Sequence, residues 1–329
     1  MILIFTNKED THPNPVIDIL QERGVPFFRL NTEDLLADYS FSWWAKNGIC
    51  AFDIENKQTG LRLKGSEITA VWDRRPEVPK SLPLYNTKEI DAHNLREARA
   101  FLLFLRYFVE HIPSIGSIVN DKVASSKMLQ YRTAVDCGFI VPDTVYANNK
   151  SAVALLAQQH DQLCLKPIDG FDVWDEKNGV DYVFYTQILN ASDLEKVPNE
   201  AFLQTVCFVQ EYVPKDFELR VTVVGKDVFA TKILSQELPE EEGKIDWRQG
   251  YEHGLKWLPY ALPEAIRKKC VTLVHALGLN FGCIDLVVRP DGEFVFLECN
   301  PNGQWLWIEL ATGQKISASI ADFLIHPIQ

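Results

Sequence analysis

The chain holds seven cysteines, Cys50, Cys137, Cys164, Cys207, Cys270, Cys283 and Cys299, and no two of them form a Cys-x-x-Cys pair. An odd, scattered set among mostly apolar neighbours excludes a disulfide frame and a zinc knuckle, and predicts reduced, buried thiols in a cytoplasmic protein. Positive charge is also scarce. Lysine and arginine number 33 against 45 acidic residues, a formal net charge of −12, which excludes a nucleic-acid partner bound over a broad basic face. A basic peptide is compatible with that balance. No G-x-x-x-x-G-K-[ST] run occurs, so a Walker-type phosphate loop is excluded. No apolar run is long enough to cross a bilayer, and the opening Met1-Ile-Leu-Ile-Phe-Thr-Asn lacks the basic flank and cleavage site of a secretion signal. There is no internal repeat and no low-complexity tract. With 47% hydrophobic and 24% charged residues, the 329-residue chain has an ordinary globular composition and room for two or three subdomains.

What is present concentrates near the C-terminal end. Phe281-Gly-Cys-Ile-Asp285-Leu-Val-Val and Phe294-Val-Phe-Leu-Glu298-Cys-Asn300 are β-branched and aromatic runs on either side of Pro290-Asp291-Gly292, a hairpin signature. Each run breaks its apolar pattern with a carboxylate. If Asp291 and Gly292 are the central turn residues, Asp285 falls opposite Glu298 and Asn300 projects from the same face. A three-residue Pro-Asp-Gly loop, which the missing N–H of Pro290 also allows, slips the register by one and parts the carboxylates to opposite faces. Facing like charges destabilise a ladder, and burying them unpaired costs more. A hard divalent cation removes both penalties, and an Asp, Glu and Asn oxygen set suits Mg2+ while phosphates fill its other positions. The first register predicts nucleotide chemistry; the second predicts two acidic residues on a half-exposed strand pair.

Along the rest of the chain, Ile2–Phe5, a helix near Pro15–Arg23 and Pro26–Leu30 read as β-α-β, the start of an open parallel sheet. Phe41–Trp44, Ala51–Ile54 and Leu61–Leu63 read as short antiparallel strands. Val71-Trp-Asp-Arg-Arg-Pro76 ends a further strand in two arginines. A helix is predicted over Lys88–Glu110, with Phe101, Leu102, Leu105 and Phe108 on its apolar face. A second, Asp121–Cys137, stops at Gly138. Leu163–Lys166 and Tyr182–Thr186 are predicted strands around a polar loop. Phe208–Val213, Leu219–Val224 and Val228–Ile233 form a strand series; 234–254 is acidic and irregular; Glu264–Leu277 is a helix. The predicted class is α/β with α+β subdomains, divided as 1–115, 116–207 and 208–329.

Four features precede the hairpin in order. Lys127 opens a helix that ends at Gly138, Lys166 closes an apolar strand, Gln210-Glu211-Tyr212-Val213 leads to Glu218-Leu-Arg220, and Asp246-Trp-Arg248 follows. Together with Asp285, Glu298 and Asn300, the set resembles the ATP-grasp ligases over roughly residues 115–310. The resemblance implies an ATP-grasp fold behind an N-terminal open parallel-sheet (pre-ATP-grasp) domain, with ATP and Mg2+, two ions, between two α+β subdomains. It implies that Lys127 and Lys166 bring charge to the phosphates. Gln210, Glu211, Tyr212 and Val213 would form a hinge whose backbone reads the adenine edge, and Glu218, or else Glu211, would accept from the ribose. Asp285, Glu298 and Asn300 would hold the metal. Arg220 and Arg248, forked donors suited to a carboxylate or acyl phosphate, would be catalytic. The loop 168–179 departs from the family by being poor in glycine; its acidic and aromatic residues suit a peptide-facing role.

Within that superfamily, Met1-Ile-Leu-Ile-Phe-Thr-Asn, Pro26-Phe-Phe-Arg-Leu-Asn31, Val71-Trp-Asp-Arg-Arg-Pro76 and Glu298-Cys-Asn-Pro-Asn-Gly-Gln-Trp-Leu-Trp-Ile-Glu309 resemble the microviridin-type graspetide synthetases over nearly the whole chain. This implies an ADP-forming macrocyclase acting on a ribosomal precursor peptide. An Asp or Glu side chain is phosphorylated, then attacked by a Thr or Ser hydroxyl (ω-ester) or a Lys amine (ω-amide). No enzyme nucleophile is required, and cysteines and histidines form no local dyad. Arg74 and Arg75 become candidates for the peptide carboxylate, or equally for a structural salt bridge. Trp305 and Trp307 become candidates for the peptide channel, or for core. Asp193 and Glu195 become candidates for pairing a basic side chain of a helical leader, and a homodimer is implied. An ATP-grasp ligase of free amino acids, of the glutamate-ligase or glutathione-synthetase type, and a non-catalytic ATP- or peptide-binding module are the competing classes.

Overall fold

A short continuous apolar run suits a strand buried on both faces, and Ile2–Thr6 (β1) is buried along its whole length. The computed structural model describes residues 1–80, 82, 87–168, 172–175, 177–239 and 241–327. Phe27–Asn31 (β2) pairs parallel to β1 on one side. Tyr39–Lys46 (β3), Ile49–Asn56 (β4) and Arg62–Lys64 (β5) make a separate antiparallel meander. Ala70–Asp73 (β6) returns to the other side of β1, and Ser114–Ile115 (β7) follows, giving the order β2-β1-β6-β7. Alternation along β1 divides two cores. Ile2 and Ile4 pack against the helices Pro13–Glu22 and Ile316–Ile325, whereas Leu3 and Phe5 pack against helix Lys88–Phe108 and the meander. Thr87 caps that long helix by accepting from Ile90 N.

The single helix expected over Asp121–Cys137 is two, Ile118–Ala124 and Lys127–Asp136. Ser125 and Ser126 part them, and Ser126 adopts an extended φ/ψ of −69°/107°. Serine competes with the helical backbone for hydrogen bonds and favours helix starts. The break makes Lys127 the first residue of a new helix, free to project from its end.

Thr144–Ala147 (β8) and Gln162–Lys166 (β9) begin the central sheet. Asp172–Asp175 (β10) and Val180–Val183 (β11) form their own two-stranded ribbon, so the strand expected at Tyr182–Thr186 beside Lys166 is not its neighbour. Residues 169–171 and 176 of the expected flap lie outside the described residues. Gln187–Asn190 (β12) takes the expected place, and with Cys207–Glu211 (β13) the antiparallel order is β12-β9-β13-β8. The last sheet comprises Phe217–Val224 (β14), Asp227–Ile233 (β15), Trp257–Pro259 (β16), Phe281–Val288 (β17) and Phe294–Asn300 (β18), ordered β16-β15-β14-β17-β18. Helix Glu264–Ala276 covers one of its faces. The irregular stretch holds short helical turns at Ser235–Glu237, Glu241–Ile245 and Trp247–His253. Two unanticipated helices, Leu306–Thr312 and Ile316–Ile325, end the chain, the latter returning to the N-terminal sheet. Among the described residues, no helix is long and apolar enough to cross a membrane.

One junction carries a pH dependence. Asp121 lies beside Asp73 and Glu110, with Arg106 donating Nε and Nη2 to Asp73 at 2.7 and 2.9 Å. Burial, then the Asp73 charge, lifts the Asp121 carboxyl to about 7. A raised carboxyl binds its proton more tightly in the fold than in the unfolded chain. Its contribution is therefore full below the ordinary value of 3.8 and is lost as pH rises toward about 7. Relative to wild type, Asp121→Asn, which keeps an acceptor for Ser117 N, is expected to gain ~1–3 kcal/mol of stability between pH 5 and pH 8. Chemical denaturation at the two pH values measures this; an equal difference at both would refute it.

Candidate active site

The turn of the β17–β18 hairpin is the three-residue kind, and the two-residue expectation is corrected. Gly292 N and Arg289 N donate to Arg289 O and Glu293 O, both at 2.9 Å, with Gly292 at φ 88°, a conformation glycine adopts without strain. Pairing leaves the turn as Val288 with Phe294 and reaches Leu286 with Phe296. Continued unbroken, it would set Leu297 opposite Asp285 and turn Glu298 toward the helix. A bulge intervenes between Asp285 and Leu286, and beyond it Asp285 faces Glu298 and Cys283 faces Asn300. Leu297 is the extra residue, packed with Val213, Val287 and Val295. The slipped turn and the functional register therefore coexist, reconciled by one bulge.

Alternation then sorts the sheet. Leu219, Val221, Ile284, Leu286, Phe296 and Cys299 pack against helix Glu264–Ala276. Glu218 and Arg220 of β14, Asp285 of β17, and Glu298 and Asn300 of β18 share the other face. Arg220 Nη1 donates to both Asp285 oxygens at 2.9 and 2.8 Å, the geometry of an ionised pair. Burial opposes the Arg220 charge, but Asp285 more than restores it and holds the guanidinium above its ordinary value. Burial lifts the Asp285 carboxyl against the pull of Arg220. Lys127 Nζ donates to Glu298 Oε2 at 2.8 Å. Burial would raise Glu298 too, but Lys127 and then Arg248 bring it below the usual carboxylate range. Asn300 Nδ2 bridges the two carboxylates at 3.4 and 3.3 Å.

The central sheet faces this surface. Lys166, Phe208 and Tyr146 lie side by side across β9, β13 and β8, and Lys127 sits over the Phe208 ring at 5.6 Å. Burial, opposed by Cys164 and Glu298, lowers the Lys166 ammonium. Gln210 is buried, with Nε2 donating to Tyr131 Oη at 2.7 Å and Thr144 Oγ1 at 2.9 Å. Glu211 turns outward to His160 Nδ1 and Arg289 Nη2, both at 3.2 Å, and so away from the ribose position considered for it. The N–H groups of Glu211 and Tyr212 donate to Asp143 O and Gln162 O, so these two donors are already engaged within the protein. Among the described residues, the Val213 backbone has no such partner. Glu218 is buried against Lys215, whose Nζ also donates to Ile245 O at 3.0 Å. Buried atoms without a hydrogen-bond partner include Tyr146 Oη, Gln210 Oε1, Glu218 Oε2 and Arg220 Nε, all on residues of these two faces. A polar ligand between the sheets would satisfy them. With the hard oxygens of Asp285, Glu298 and Asn300, the residues present fit a nucleotide carrying Mg2+.

The N-terminal sheet closes the site from a third side. In open parallel sheets ligands bind outside the carboxyl ends of the strands where strand order reverses, here between β1 and β6. That crevice is filled by the chain's own loop after β18. Arg74 donates to Asn302 O at 2.8 Å, Asn302 Oδ1 at 2.6 Å and Gly303 O at 3.2 Å, and pairs with Asp10 at 3.0 Å. Burial lowers its guanidinium to about 10 despite Asp10. A side chain at Gly303 would stand 2.5 Å from Cys283 Cβ and 2.8 Å from Arg220 Nη2, so only glycine lets the loop lie this close. Arg74 and Trp305 are 1% and 0% exposed, so of the two alternatives left open for each the structure takes the salt bridge for Arg74 and the core for Trp305. Trp307 packs tilted against Trp247 and Trp257, with ring centroids 5.7 and 5.3 Å away. Arg75 is exposed, with a left-handed φ of 49°. Asp193 caps its own helix, Ala191–Lys196, and pairs with Lys196; with Glu195 it lies on the side away from the carboxylate face. Sequence reasoning missed Lys215 and, while naming Asp246 beside Arg248, gave it no role. Their proximity to Glu218 and Arg248, three and two positions apart, was the available signal.

Two α+β subdomains that close a carboxylate, lysine and arginine cluster between their sheets define an ATP-grasp ligase. Residues 1–121 match the family model for the MvdD pre-ATP grasp domain. A RiPP-associated ATP-grasp ligase of Chryseobacterium gregarium, solved with ADP and a leader and core peptide, is 28% identical over 100% of this chain and 97% of that one, at a TM-score of 0.88. The macrocyclase MdnC of Microcystis aeruginosa, solved with precursor peptide MdnA, is 30% identical over 100% of both chains, at a TM-score of 0.83. The macrocyclase MdnB of the same organism, 24% identical over 99% of both chains, shares the fold at a TM-score of 0.74. No curated protein matches the chain at a significant level. The chain belongs to the microviridin-type ATP-grasp peptide macrocyclases.

Proposed function

We propose that this protein uses ATP to activate an Asp or Glu side chain of a ribosomal precursor peptide and to join it to a Thr or Ser hydroxyl or a Lys amine. The observation that carries the reading is the convergence of Asp285, Glu298 and Asn300 with Lys127 and Arg220 on one sheet face. Asp285, Glu298 and Asn300 would hold magnesium, two ions in this reading, which when bound neutralises phosphate charge and orients in-line transfer. Lys127 and Lys166 flank that face and would bind the phosphates. The Val213 backbone would meet the adenine edge, and Glu218 the ribose. Arg220 and Arg248 present forked donors where the activated carboxylate would sit, and would stabilise charge as the acyl bond forms. The proton of the attacking hydroxyl or amine leaves to solvent or to the departing phosphate. Arg75, exposed at the mouth of the sheet, would meet acidic peptide side chains, and Asp193 and Glu195 a basic leader. The three units 1–115, 116–207 and 208–329, a homodimer and a cytoplasmic site of action complete the proposal.

Co-expression with short open reading frames rich in Thr, Lys, Asp and Glu from beside the gene tests it, with intact-mass spectrometry as the readout. One water lost per link is the expected result. ADP formation from free glutamate with no peptide would favour the amino-acid ligase instead. Arg248→Ala is expected to lower macrocycle yield ~10²–10³-fold with the KM for ATP unchanged. Intact-mass quantification measures the yield and steady-state phosphate release the KM for ATP, and a normal yield would remove Arg248 from the mechanism.

A further inference from the structure

Arg248 enters the site from a short helical turn, Trp247–His253, and its side chain is 49% exposed. An arginine that open samples many rotamers unless something holds it. Asp246, itself 4% exposed, caps the turn by accepting from Arg248 N at 3.2 Å. The same carboxylate takes Arg248 Nε on Oδ1 at 2.9 Å and Nη2 on Oδ2 at 3.3 Å, so it grips one edge of the guanidinium. Thr186 Oγ1, just before β12, anchors Oδ2 from the central subdomain at 3.4 Å. Among the described residues, no other group bonds the Arg248 guanidinium, which lies within electrostatic reach of Glu298 and Asp285.

We infer that Asp246 is a positioning residue of the macrocyclase reaction. It acts through Arg248, fixing the Nε edge so that the remaining Nη1 is presented to the peptide carboxylate. The inference rests on the reading of Arg248 given above. A carboxylate that only capped the turn would be replaceable by asparagine, which caps as well as aspartate. A carboxylate that aims a guanidinium is not, because the charge-assisted fork is lost.

The test compares wild type with Asp246→Asn, Arg248→Ala and the double variant, using the precursor peptide found by co-expression. Asp246→Asn is expected to lower kcat ~10–100-fold, as the loss of a supporting partner does elsewhere, with the KM for ATP within about twofold. The double variant should be no slower than Arg248→Ala. Millimolar guanidinium should restore part of the Arg248→Ala rate only while Asp246 is present. Wild-type kcat in Asp246→Asn, additive losses in the double variant, or equal rescue without Asp246 would each overturn the inference. If Arg248→Ala itself turns over normally, the functional reading of Arg248 has failed instead. A substrate-free readout stands beside these: the Arg248 Nε–H signal of ¹⁵N-arginine-labelled protein, assigned with Arg248→Lys, should exchange slowly in wild type and be lost to solvent exchange in Asp246→Asn. Should Asp246→Asn melt early, Thr186→Val tests the same fork more gently, with a smaller fall in kcat expected and an unchanged signal and rate counting against it.

Discussion

Glu298→Gln is expected to abolish macrocycle formation, by ~10³-fold or more, while the protein loses no more than ~1 kcal/mol of stability. The substitution keeps the side chain's shape and removes one negative charge from a facing pair. If the carboxylate contributes ~4 kcal/mol to holding a divalent cation against the phosphates in the transition state, losing it corresponds to about three powers of ten in rate. Stability should move little for two reasons. Lys127, the partner left behind, is 25% exposed and can return to water, where an ion pair is worth at most ~1 kcal/mol. Removing one of two like charges opposite each other on a ladder also relieves repulsion with Asp285. Phosphate release with the precursor peptide, alongside a magnesium titration of ADP binding by calorimetry, gives the result. Retained turnover, or unaltered magnesium dependence, would take Glu298 out of the metal site.

Much of this site could be read from the chain before any coordinates, and the unread part has definite causes. An apolar strand run that ends at Lys166 and others interrupted by Arg220 and Asp285 announce themselves, because a charge is costly inside an apolar run unless it has a task. The turn did not announce itself: Pro290 left two registers open, and a β-bulge at Leu297 has no composition that marks it. The buried fork of Arg74 was illegible for another reason. Its partners, Asn302 and Gly303, lie 228 and 229 positions away, and nothing local distinguishes a sealed arginine from an exposed one. The Ser125-Ser126 break was available as a propensity signal, yet an apolar pattern running through it outweighed the signal. The return of helix Ile316–Ile325 to the first sheet belongs to topology, which periodicity alone does not fix.

Asp285→Ala should behave differently from Glu298→Gln, since it is expected to unfold more readily as well as to lose activity. Arg220 is 8% exposed on its side chain and depends on Asp285 for both short contacts; its remaining bond, Nη2 to Gln304 O, is 3.4 Å. Removing Asp285 leaves that guanidinium buried with little compensation, at ~3–5 kcal/mol. Arg220→Met should cost a similar amount, because Asp285 and Glu298 then face each other with the nearer cation gone. The double replacement, Arg220→Met with Asp285→Leu, removes both charges and fills the space with apolar atoms, so stability should return to within ~1 kcal/mol of wild type. Turnover should stay absent in all three. Denaturant unfolding of the four proteins yields the coupling directly, and additive destabilisation in the double variant would show that the pair is not interdependent. The consequence for interpretation is specific: lost activity in Asp285→Ala mixes chemistry with a weakened sheet, whereas the double variant isolates the chemistry. If it folds like wild type and makes no macrocycle, the polar stripe on this face exists for the ligand, and its arginine–aspartate pair keeps the two charges compatible with burial until that ligand arrives.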